Sequence, residues 1–299
     1  VYLDNPPKIV PTRVFSEVPE ALRKRPDGVV AGGRWQDGSP PHSLIEGPCF
    51  DEAGNLHLVD IPYGRIFKVS PKGEWTVLVE YDGEPNGLRR LPDGKMLVAD
   101  YKQGILRLNP ETGTLAPVVS RYRSERLKGP NDLIVARNGD VYFTDQGQTG
   151  LHDPTGRVFR LRADGQLDCV LANGAGPNGL ALSADEKILY VAMTRDNAVW
   201  RVPLLPDGTT MKVGRFSSYF GIVGPDGILI DRAGNILVAH ASLGCVFVHD
   251  RYGELIARIV SCRGRTVTNL AFGGADRKTL FITESETGSV LVADWYVPG

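Results

Sequence analysis

Cysteine is scarce here. Only Cys49, Cys169, Cys245 and Cys262 occur in 299 residues, and no two form a C-x-x-C pair. That spacing argues against a zinc site or a disulfide framework and for reduced, buried thiols. Such cysteine usage points to a cytoplasmic setting. Long apolar runs are missing too: none approaches the roughly 18–20 residues a membrane helix needs, so no membrane partner is expected. The opening VYLDNPPKIVPTRVF lacks the basic-then-apolar order of a secretory leader. It starts at Val1 and not at Met, which leaves room for trimming. Neither sign of charge is in excess: 34 Lys and Arg stand against 35 Asp and Glu, a formal net charge of −1. Nothing therefore advertises a nucleic-acid partner. No 3.6-period apolar face recurs, which excludes a helical solenoid, and no linker divides the chain.

Turn formers and repeats are what the sequence does have. Its 35 Gly and 21 Pro are spread evenly, as many tight turns require. Six segments share one pattern: EGPCFDEAGNLHLVD (46–60), NGLRRLPDGKMLVAD (86–100), NDLIVARNGDVYFTD (131–145), NGLALSADEKILYVAM (178–193), DGILIDRAGNILVAH (226–240) and NLAFGGADRKTLFITE (269–284). Their starts lie 40, 45, 47, 48 and 43 residues apart. Each segment reads as a short apolar strand, a Gly/Asn/Asp turn and a Val/Ile/Leu-rich strand. Most copies continue with two further strand-like stretches. Four strands per repeat of about 40–48 residues is the signature of a propeller blade. The sequence thus predicts an all-β, six-bladed β-propeller of four-stranded antiparallel blades over 41–299. It predicts a polar, Pro-rich extension over 1–40, whose RVFSEV stretch adds a strand to the last blade and closes the ring.

Register then gathers side chains. The residue opening each first strand sits at one mouth of the central channel: Glu46, Asn86, Asn131, Asn178, Asp226 and Asn269. The last residue of each second strand returns to that end and is expected to form an outer ring: Asp60, Asp100, Asp145, Met193, His240 and Glu284. Two carboxylates and four amides in the inner ring, without Lys or Arg, repel one another and lose hydration. A bound cation relieves both costs. All-oxygen donors favour Ca²⁺ or Mg²⁺, with Ca²⁺ suiting an amide-rich set best. A solvated polar channel is the alternative.

At these residues the chain resembles the senescence-marker-protein / gluconolactonase / luciferin-regenerating-enzyme family. The pieces that carry the likeness are EGPCFD, GPNDLIV…GDVYFTD, GPNGLALSAD, GPDGILID and TNLAFGG…KTLFITE, from about residue 40 onward. The resemblance implies a six-bladed propeller acting on lactones or, in relatives, on phosphotriesters. It implies one divalent cation, Ca²⁺ or else Mn²⁺, Zn²⁺, Mg²⁺ or Fe²⁺, held by Glu46, Asn131, Asn178 and Asp226, with Asn131 alternatively a substrate contact. The chain departs from the family pattern in Cys49-Phe50, where an aromatic usually follows Gly-Pro, and in ADYKQGILRL, which has Lys102 but no His where many bacterial gluconolactonases carry a His and an Arg.

These residues suggest a hydrolase that opens a sugar lactone or a more hydrophobic one. The cation would polarise the carbonyl, and Asp226 would act as base toward the attacking water. His240 is a candidate proton shuttle. Asn86, Asn131, Asp145 and Tyr219 are candidate substrate contacts. The mouth loops 121–129, 146–156 and 217–224 are expected to set substrate choice, the first by attracting an acidic group through Arg121, Arg123, Arg126 and Lys128. The N-terminal segment is expected to cover part of the mouth. The rival readings are phosphotriester hydrolysis or other chemistry on the same metal, and a non-catalytic binding propeller.

Overall fold

The computed structural model describes residues 6–24 and 41–299. Six antiparallel sheets follow one another along the chain and form a six-bladed β-propeller. The innermost strands, one per blade, are Ile45–Phe50, Pro85–Arg90, Pro130–Val135, Pro177–Leu182, Pro225–Ile230 and Val267–Gly273. Neighbouring inner strands pack side by side, and the sixth returns to the first.

Sequence explains the order within each blade. Second strands such as Leu56–Asp60, Met96–Asp100 and Val141–Asp145 are buried throughout, because both their faces meet a neighbouring blade. Fourth strands such as Trp75–Glu80 and Thr114–Val119 are largely exposed. Hairpin turns carry the chemistry their residues imply. In blade 1, Asp51 Oδ1 accepts from Asn55 N at 2.8 Å and Oδ2 from Asn55 Nδ2 at 2.8 Å. Asp231 and Asn235 repeat this in blade 5 at 2.9 and 2.8 Å. The core is divided: an apolar cluster fills each gap between adjacent blades. Leu88, Val98 and Leu106 meet Val59 and Ile66 between blades 1 and 2. Leu270, Ile282 and Leu291 meet Leu237 and Val246 between blades 5 and 6.

Ring closure follows the expectation and exceeds it. Arg13–Glu17 pairs antiparallel with Ser289–Asp294, completing blade 6. Just before it, Lys8–Pro11 adds a fifth, parallel strand to blade 5. Thr12 makes the crossing, its Oγ1 donating to Val260 O at 2.9 Å and accepting from Cys262 N at 2.9 Å. Residues 8–17 of the extension are thus tied to the last two blades. The expected cover over the mouth falls largely on 25–40, outside the described residues. All four cysteines are free, but only Cys49 and Cys245 are buried; Cys169 is half-buried and Cys262 exposed. Among the described residues no helix is long and apolar enough to cross a membrane.

Candidate active site

Every inner strand carries a register shift near its ring residue, for example between Glu46 and Cys49, between Pro177 and Leu180 and between Pro225 and Ile228. Such bulges re-aim side chains. Glycine follows the ring residue in four blades, and the space is needed. A Cβ on Gly47 would stand 2.6 Å from Asn86 O, and one on Gly227 would collide with the Asn269 amide. Inner strands therefore approach closely while the ring side chains turn toward the channel mouth.

There they line a cavity of about 980 Å³. Glu46, Asn86, Asn131, Asn178 and Asp226 lie at its floor, each less than one-tenth exposed. The sixth ring member, Asn269, stands behind: its Nδ2 donates to Glu46 Oε2 at 2.8 Å, beside the Gly47 N–H at 2.5 Å. Among the described residues Glu46 thus has amide donors only. Burial first, then the nearby Asp226 and Asp132, push its carboxyl well above the usual carboxylate range, while those two donors offset part of the rise. Asn131 Nδ2 donates to Gln146 Oε1 at 3.0 Å, which fixes the amide and leaves its Oδ1 for the cavity.

The outer ring does not face this opening. In blades 1 to 5 the last residue of the second strand pairs with the residue just before the inner-ring one: Asp60 with Ile45, Asp100 with Pro85, Asp145 with Pro130, Met193 with Pro177 and His240 with Pro225. None of the six outer-ring residues is among those that line the cavity, and the bulge beside each inner-ring residue turns that side chain away from its outer-ring neighbour. Asp60 accepts from Arg65 Nη2 at 2.5 Å and Leu44 N at 2.8 Å. Asp145 accepts from Arg157 Nη2 at 2.7 Å and Gly129 N at 2.8 Å. Asp100 accepts from Tyr81 Oη at 2.7 Å and Glu84 N at 3.0 Å. Each carboxylate pins the loop entering its own inner strand. Asp145, expected to touch substrate, is wholly buried in this clamp.

His240 and Tyr219 also lie off the cavity. His240 is fully buried, its ring edge-on to Tyr219 and Phe247. Nδ1 accepts from Ser242 N at 3.4 Å, and Nε2 makes no hydrogen bond of regular geometry. Burial lowers its pKa to about 4 despite the adjacent Phe220 backbone. A ring so placed packs between strands and is not among the residues that line the cavity. Tyr219 Oη accepts from Ser217 Oγ at 2.8 Å and lies 2.9 Å from His249 Nε2, inside the cluster between blades 4 and 5. Of the mouth loops, 146–156 contributes Gln146–His152 to the cavity and 217–224 contributes Ile222 and Val223. The basic stretch 121–129 contributes nothing; Arg121 and Arg123 line a separate groove with Arg162 and Asp207.

One charged neighbour of the site, which does not line the cavity, went unread. Asp132 is buried, accepts from Leu133 N at 2.8 Å and lies 3.5 Å from Arg89 Nη2. The signal was available: blade 3 has Asn-Asp where blades 2 and 4 have Asn-Gly. Among the described residues no three His, Cys, Asp or Glu side chains come together as a metal-binding group. The donor set expected from the sequence contains two carboxylates, with amides making up the rest.

Comparison with known proteins fits this geometry. The model of the SMP-30/gluconolactonase/LRE-like region matches residues 44–286, which include every inner strand. The chain belongs to this family. Gluconolactonase of Zymomonas mobilis is 34% identical over 273 residues, covering 80% of this chain and 76% of its own. Lactonase drp35 of Staphylococcus aureus is 30% identical over 238 residues, covering 76% and 72%. The structure of a Xanthomonas campestris gluconolactonase superposes with a TM-score of 0.75 at 27% identity, over 100% of this chain and 99% of that one. A lactonase-type propeller enzyme is the class these relatives share.

Proposed function

We propose that the protein is a divalent-metal-dependent lactonase, a carboxylic ester hydrolase working at the cavity floor. One observation carries this reading: Glu46 is buried there with, among the described residues, only amide hydrogen-bond donors, its carboxyl pushed up by burial and by Asp226 and Asp132. A site that raises the energy of its own carboxylate is suited to a cation. Glu46, Asn131, Asn178 and Asp226 would hold it. The set is all oxygen, which fits Ca²⁺ first and admits Mn²⁺, Mg²⁺, Zn²⁺ or Fe²⁺. When bound, such an ion supplies Lewis-acid polarisation of a lactone carbonyl and stabilises charge on its oxygen.

The chain's own residues do the rest. Asn269 and the Gly47 N–H hold Glu46 in one position. Gln146 fixes the Asn131 amide, and Asn86 offers a further amide to the ring oxygens of a substrate. Asp226 is assigned as the base that orients a water and accepts its proton. His240, buried and outside the cavity lining, is assigned no proton transfer in this reading. A cytoplasmic setting belongs to the same reading and is supported by the free thiols.

The test is hydrolysis of a lactone panel followed by a pH indicator. EDTA treatment abolishes turnover and Ca²⁺ or Mn²⁺ restores it. Asp226→Asn loses turnover; a variant that keeps both its metal and its turnover removes Asp226 from the chemistry.

A further inference from the structure

The lactonase reading leaves the kind of lactone open, and the cavity wall bears on it. Arg195 lies in the single turn Thr194–Asp196 that follows the second strand of blade 4. That turn is fixed by three hydrogen bonds: Thr194 N donates to Gly176 O at 3.0 Å, Arg195 N to Ala175 O at 3.1 Å, and Thr194 Oγ1 to Pro225 O at 2.7 Å. The Arg195 side chain lines the cavity, is solvent-exposed, and has no carboxylate partner among the described residues. Its nearest acid in sequence is already engaged: Asp196 accepts from Arg215 Nη2 at 2.7 Å and Trp200 Nε1 at 2.9 Å. Other arginines close to the channel have partners, Arg65 with Asp60, Arg157 with Asp145 and Arg89 with Asp132.

The stem of Arg195 lies in a groove made by missing side chains. A Cβ on Gly176 would stand 3.0 Å from Arg195 Cγ, and one on Gly150 would stand 3.5 Å from it. The same Gly150 position is 3.2 Å from His152 Nδ1. Arg195 and His152 therefore flank one backbone point, and both line the cavity. Paired backbone hydrogen bonds between Gly150 and Asp153, at 3.1 and 3.0 Å, hold the loop that presents His152. At about 980 Å³ the cavity is far larger than a bare lactone ring needs.

We propose that the substrate is a lactone bearing an anionic group, a carboxylate or a phosphate, and that Arg195, aided by His152, binds that group while the ring lies over Glu46 and Asp226. A guanidinium is suited to this task, since its planar fork matches carboxylate and phosphate oxygens. The inference rests on the lactonase reading for the ring and on Arg195 for the acid.

Two matched pairs separate the sources of charge: 5-oxotetrahydrofuran-2-carboxylate against its methyl ester, and 6-phosphogluconolactone against gluconolactone. In at least one pair the wild-type protein prefers the acid by tenfold or more in kcat/KM. Arg195→Gln brings that ratio down at least tenfold, mainly through KM. A preference absent in both pairs, or one that survives Arg195→Gln, overturns the proposal. Calorimetric titration with pyroglutamate and with 2-pyrrolidone needs no turnover. Pyroglutamate binding that Arg195→Gln abolishes supports the proposal even where no lactone is opened, an outcome that defeats only the lactonase reading. Equal binding of the two lactams, or by the two proteins, counts against it.

Discussion

Glu46 and Asp60 belong to one hairpin, on paired strands at the same end of the barrel. Both are buried acids, and they have opposite surroundings. Asp60 meets the Arg65 guanidinium and a backbone N–H; Glu46 meets amides and other acids. Asp145 with Arg157 repeats the first arrangement in blade 3. One residue of register separates the two sets, and the bulge beside each floor residue turns its side chain away from the clamp. The same side-chain chemistry thus serves as a clamp on one face and, in the function proposed, as the ligand floor on the other. What decides is the partner, not the residue type.

The strongest way to break this comparison is to neutralise an acid of the floor. Glu46→Gln is expected to lower kcat/KM on the best lactone by about 100- to 1,000-fold, with lost metal content shown by elemental analysis. The variant's unfolding midpoint in EDTA should be no lower than that of the wild type, because the removed charge was a strain. The clamp is expected to behave in reverse. Asp145→Ala leaves the Arg157 guanidinium buried without its main partner and lowers unfolding free energy by about 3–5 kcal/mol, read from urea denaturation. A clamp variant as stable as wild type would dissolve the distinction.

Acidity sharpens the contrast. The folded-state pKa of Glu46 is raised, so in metal-free protein its stabilising share is full below the ordinary carboxylate pKa. That share is lost as pH climbs through the raised value. Denaturation of EDTA-treated protein should therefore show stability falling from about pH 4.5 upward, and Glu46→Gln should flatten that slope. His240 runs the other way. Its pKa is lowered to about 4, so its share is full above the ordinary histidine value and is lost as pH falls toward 4. His240→Phe should remove that acid-side loss while turnover at neutral pH persists; loss of turnover in a well-folded variant would return His240 to the chemistry.

The blades, their number and the inner ring were legible because the repeat fixes phase: six turns at one spacing place Glu46, Asn86, Asn131, Asn178 and Asp226 on one floor. Three features were not. The outer ring was misjudged because returning to the same end of a hairpin says nothing about which face a side chain takes. Arg65 and Arg157, at the start of the third strands, were the available hint. The parallel strand Lys8–Pro11 is four residues long and pairs with residues some 250 positions away, a contact that no local pattern announces. The basic stretch 121–129 looked suited to an acidic substrate, yet among the described residues the exposed guanidinium in the cavity belongs to Arg195, on a turn tied to blade 5 through Thr194.

Calcium titration of EDTA-stripped protein, followed by calorimetry, tests the central claim most directly. The account predicts one saturable site in the wild type, its loss in Glu46→Gln and Asp226→Asn, and its retention in the clamp variant Asp100→Asn. An isotherm without saturation, or one that Glu46→Gln leaves unchanged, would contradict it.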